Sequence, residues 1–74
     1  MLPYPEITAY MMSVEDAMDF AAEGQLADGY AVLVAGLHRA EEAKEDGEPW
    51  AAELISRYQL AIDQYVSSHG VALE

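Results

Sequence analysis

Apolar side chains recur every three or four residues along most of the chain, the period of amphipathic helices rather than of strands. The longest uncharged apolar stretch, Tyr30 to Leu37, reads Tyr-Ala-Val-Leu-Val-Ala-Gly-Leu. At about 100° per residue, Tyr30, Leu33, Val34 and Leu37, with Leu26 one turn earlier, share one face. Gly29, Gly36, Ala40 and Ala43 share an adjoining face, and Val32 lies close to it. The pattern predicts a central helix with two neighbours, one packed on bulky residues and one brought close over small ones.

Start and stop signals divide the rest. The central helix is expected over residues 25–46, between Gly24 and Gly47, both suited to the left-handed conformation that ends a helix. Gly29 and Gly36 cost about 1 kcal/mol each in its interior, and a line of such costs points to another backbone approaching there. Pro49 at a first helical position opens the next helix, expected over 49–69, whose broad apolar face includes Trp50, Leu54, Tyr58, Ile62 and Tyr65. The short connection makes these two long helices an antiparallel hairpin. Ser13 is placed to cap a shorter helix over 13–23, with Val14, Ala17, Met18 and Ala21 inward. Residues 1–12 hold Pro3-Tyr4-Pro5, read either as extended chain or as the start of a helical turn, followed by an apolar lid of Ile7, Tyr10, Met11 and Met12. The expected fold class is all-α: an antiparallel hairpin of two long helices plus a short N-terminal helix, like a three-helix bundle. Residues 1–72 form one domain, and residues 73–74, Leu-Glu, match the pair an expression vector leaves before an affinity tag.

Size and charge sharpen this picture. A chain of 74 residues without cysteine has no disulfide or thiolate metal site to staple a small core, so unusually regular helix packing or a partner must supply stability. A hydrophobic share of 53% argues against disorder. The net charge of −11 disfavours nucleic acid and anionic membranes and favours a basic protein surface. No apolar run reaches the ~18 residues of a membrane span and no signal-peptide pattern opens the chain, which reads as cytoplasmic.

Catalytic chemistry finds no support in the pattern. His38 and Glu42 stand four apart but lack further ligands at a metal-binding spacing. Ser67, Ser68 and His69 are consecutive on a helix and point in different directions. The pattern therefore predicts no enzyme, cofactor or metal site. It predicts a non-enzymatic protein-interaction module that self-associates, most simply as a homodimer. The expected apolar contact residues are Gly29, Val32, Gly36 and Ala40, with Leu60 on the outer side of the last helix. The alternative is an acidic decoy or regulator that occupies a basic nucleic-acid-binding protein through Glu41, Glu42, Glu45 and Asp46.

Overall fold

Residues 4–70 are described by the structure, a computed structural model. They form three helices, α1 (Tyr4–Ala22), α2 (Leu26–Glu45) and α3 (Ala51–His69), and no strand occurs among the described residues. The Leu73-Glu74 pair lies outside the described residues.

The first helix departs most from expectation. It is one continuous element of 19 residues rather than a short helix over 13–23 preceded by a lid. Pro5 sits in the first turn, where its missing N–H breaks no helical hydrogen bond. Ile7, Tyr10, Val14, Ala17 and Ala21 continue the three-four spacing across the proposed break, so a single inward stripe runs its whole length. Ser13 is buried in mid-helix instead of capping a terminus. Its hydroxyl donates to the Ala9 carbonyl at 3.0 Å, a local bond that satisfies a serine inside a helix. Met18, expected inward, is 61% exposed.

Both turns close on glycine. Gly24 (φ 81°) lets the Gln25 N–H reach back to the Phe20 carbonyl at 2.8 Å, and Gly47 (φ 86°) lets the Glu48 N–H reach the Ala43 carbonyl at 3.1 Å. These are the back-bonds that satisfy the last carbonyls of a helix once its next residue turns left-handed. Pro49 and Trp50 complete the second turn, and α3 starts at Ala51, two residues later than the sequence suggests.

Packing is organised by two glycine–tyrosine contacts. A Cβ on Gly36 would overlap the ring of Tyr58, and one on Gly29 would overlap the Tyr65 hydroxyl and stand 2.8 Å from the Ala17 carbonyl oxygen of α1. The glycines are seven apart and the tyrosines are seven apart in reverse order, so later residues of α2 meet earlier residues of α3. Around them lie two buried clusters. Ala40, Leu54 and Tyr58 are flanked by Ile7, Tyr10 and Trp50, while Ala17, Leu33 and Tyr65 are flanked by Val14, Tyr30 and Ile62. The glycine costs of about 1 kcal/mol each are offset by burying a tyrosine ring, worth on the order of 4 kcal/mol at ~25 cal/mol/Å².

Both helices α1 and α3 pack along α2 and meet each other far less. One meeting point is Tyr10. Its ring lies edge-on to Tyr58 with centroids 5.0 Å apart, and its hydroxyl donates to the Arg57 carbonyl at 3.3 Å. Tyr58 in turn donates to Ser13 Oγ at 3.4 Å, so the buried hydroxyls form a short relay ending on the Ala9 carbonyl. Every buried side-chain polar atom among the described residues has a partner.

Tyr65 donates to the Leu26 carbonyl at 2.7 Å, a bond only the neutral phenol can make. Burial, with the Asp28 carboxylate as a second cause, pushes its ionisation above the usual tyrosine range. The unfolded chain therefore loses this proton first. The contribution of Tyr65 is complete below the ordinary tyrosine pKa and is lost as pH rises through the raised value. Phenolate absorbance during an alkaline titration is expected to show Tyr65 ionising late, coincident with loss of helical circular dichroism. In Tyr65→Phe the late absorbance should fall by the contribution of one phenol.

Candidate interaction surfaces

Three of the four small or β-branched residues expected to meet a partner on α2 are consumed by the fold. Gly29 and Gly36 are buried against Tyr65 and Tyr58, and Ala40 is 1% exposed. The glycine line does receive close neighbours, but they are side chains of the same molecule. Val32 is half-buried, and Leu60 is 58% exposed on α3. Glu41, Glu42, Glu45 and Asp46 are all exposed at the end of α2.

The apolar surface that remains open lies elsewhere on α2. Tyr30, Ala31, Val34, Ala35, His38 and Arg39 line a shallow depression on the side turned away from Gly29, Gly36 and Ala40. Ala31 and Ala35, one turn apart, are exposed at its centre, and Tyr30 and Val34 are half-buried at its edge. Asp28 and Arg39, eleven residues apart, return to nearly the same angle on a helix of 3.6 residues per turn. They stand on one edge of this face with opposite charge. Sequence reasoning placed Tyr30 and Val34 in the core stripe. It missed this face because alanines carry little hydrophobic signal of their own.

A second open surface is the groove left between α1 and α3. Leu33 and Tyr65 form its floor, Tyr10, Val14 and Met18 its α1 wall, and Ala61, Gln64 and Ser68 its α3 wall. Three exposed methionines, Met11, Met12 and Met18, occupy α1 beside or on the outside of it.

A third concavity lies at the α2–α3 turn. Its apolar lining includes Ala40, Trp50, Leu54 and Tyr58, and Glu6, Arg39, Asp46 and Glu48 contribute charged side chains. Glu6 comes from α1, so the acidic end of the molecule is built by two parts of the chain that the sequence pattern treats separately.

Arg57 holds the Glu53 carboxylate at 3.0 Å and lowers its pKa below the usual carboxylate range. No group of three or more histidine or acidic side chains is arranged to hold a metal ion among the described residues, and none of their helices is long and apolar enough to cross a membrane. His38 stands exposed on α2, and His69 lies against the Tyr65 ring at 4.8 Å between centroids on α3. No protein-family profile, curated protein or solved structure matches the chain.

Proposed function

We propose that the chain is a non-enzymatic protein-interaction module that pairs with a second copy of itself through the outward face of α2. The observation that carries this reading is the open apolar strip of Tyr30, Ala31, Val34 and Ala35, on a molecule whose glycine line is already filled from within. The contact surface therefore moves from Gly29, Gly36 and Ala40 to the opposite side of the same helix.

Charge selects the orientation. In a two-fold pair with antiparallel α2 helices centred on Ala31 and Ala35, each Arg39 lies beside the Asp28 of the other copy. Parallel pairing places Asp28 against Asp28 and Arg39 against Arg39, a like-charge arrangement that costs stability. The alanines let the two backbones approach closely. A strip about three turns long buries less than the ~1,000 Å² expected of a stable interface, so the pair is weak and reversible.

Light scattering across a concentration series is the direct test. A monomer–dimer equilibrium is expected, strengthened by added salt because each copy carries −11 charges. Ala35→Glu is expected to leave the helical signal unchanged and abolish the dimer. A strictly monomeric wild type, or an Ala35→Glu variant that dimerises equally well, removes this reading.

A second reading draws on the turn end. Glu41, Glu42, Glu45 and Asp46 are exposed together, with Glu6 and Glu48 beside them at the Trp50 concavity. Such an array suits a basic partner, for example a nucleic-acid-binding protein held in check. Salt separates the two readings by sign, since it weakens attraction between opposite charges while it strengthens pairing of two acidic copies.

A further inference from the structure

Of the side chains lining the open strip on α2, only His38 is of a type that changes charge between about pH 5 and 8. We infer, on the antiparallel pairing proposed above, that self-association is proton-dependent: the pair tightens as His38 takes up a proton and meets the Asp28 carboxylate of the other copy.

Register places the two groups together. His38 follows Ala31 by seven residues, close to two full turns, so it stands on the same line of the helix as that exposed alanine. Asp28 is three residues before Ala31, and His38 is three residues after Ala35. In a two-fold antiparallel pair centred on those alanines, residues equally far from the centre on opposite sides meet across the interface. Each His38 therefore comes level with the Asp28 of the other copy, next to the Arg39 contact already described. Symmetry makes two such pairs.

The surroundings reward the protonated ring only when two copies pair. On its own helix His38 has Arg39 beside it and Glu41 and Glu42 a turn further on, and these act equally on the single chain and on the pair. Helices α1 and α3 pack on the side of Gly29, Gly36 and Ala40, so the strip is lined by α2 alone. The other copy brings Asp28 to the ring, and its next charged side chain, Glu23 before the start of α2, is acidic as well. An imidazolium donates from both ring nitrogens, so the Asp28 carboxylate can accept from it and from Arg39 together. Pairing thus gives the protonated ring an attraction that the neutral ring lacks, and association takes up protons. Lowering the pH through the histidine range strengthens the pair, and raising it weakens the pair. Protonation also trims the negative charge that two copies bring together, an effect shared by His69, which lies on α3 against the Tyr65 ring.

Sedimentation equilibrium of the full chain at constant ionic strength tests this. The dissociation constant is expected to be about fivefold smaller at about pH 5.5 than at about pH 7.5, the effect of two exposed ion pairs. His69→Gln removes a titrating ring outside the strip and should keep most of that ratio. His38→Gln and Asp28→Asn should each bring the ratio close to one, and the double variant should change it no further. Helical circular dichroism at both pH values shows that each variant is folded. A His38→Gln variant that keeps the wild-type ratio, or a His69→Gln variant that loses as much as His38→Gln, would overturn the inference. Equal dissociation constants for wild type at the two pH values refute the role of His38 and leave self-association standing, whereas a chain monomeric at both refutes self-association and this role with it.

Discussion

Gly36→Ala is expected to lower the thermal midpoint by roughly 10 °C, although alanine is the better helix former. Propensity alone favours the substitution by about 1 kcal/mol. The new Cβ, however, would stand on the Tyr58 ring, 2.6 Å from its hydroxyl oxygen, and Tyr58 is itself only 2% exposed. Forcing an atom into such a contact displaces side chains and backbone at a cost of roughly 1–3 kcal/mol or somewhat more. A net loss of about 2 kcal/mol translates to that midpoint shift because each kcal/mol moves a domain of this size by roughly 4–8 °C. Circular dichroism melts would measure it, with Ala31→Gly as the comparison. That change touches an exposed position and should cost only the ~1 kcal/mol of glycine propensity. A melt of Gly36→Ala at or above wild type would mean that Tyr58 swings away freely, and that the glycine is not a packing requirement.

Tyr58→Ala is expected to leave little folded protein. Its ring, carried by α3, reaches both other helices, through Gly36 of α2 and through Tyr10 and Ser13 of α1. Removing a buried aromatic typically costs about 3–5 kcal/mol. A 74-residue chain is expected to have only ~4–11 kcal/mol in total at the usual stability per residue. Tyr58→Phe isolates the hydroxyl. It keeps the ring and gives up one long hydrogen bond of 3.4 Å, for a loss of about 0.5–1 kcal/mol. Urea unfolding of the two variants should therefore differ widely, the phenylalanine variant keeping a cooperative transition and the alanine variant showing none. Near-equal midpoints would place the stabilising core elsewhere, in the Ala17–Leu33–Tyr65 cluster.

These two residues also explain why the interaction surfaces lie where they do. Tyrosines of α3 stand against Gly29 and Gly36 of α2, and Ala40 is buried beside Leu54 and Tyr58.

Much of the fold is written locally. Helix period, glycine stops and the turn at Pro49 follow from backbone preferences that act over a few residues, and they were sufficient to read α2 and the end of α3 closely. The special role of Gly29 and Gly36 was also legible, because two costly residues seven apart need a common cause. Other features depended on tertiary contact. Ser13 has the same local chemistry whether it caps a helix or bonds back to Ala9 within one, and only the continuous inward stripe of α1 against α2 selects the second. Likewise, the glycine line announces that something comes close without saying whether it belongs to the same chain. The answer required the reach of Tyr58 and Tyr65, whose partners lie 22 and 36 residues away along the sequence. Local pattern thus determined which segments are helices and where they stop, whereas the packing of distant rings decided which faces are spent internally and which stay open to a partner.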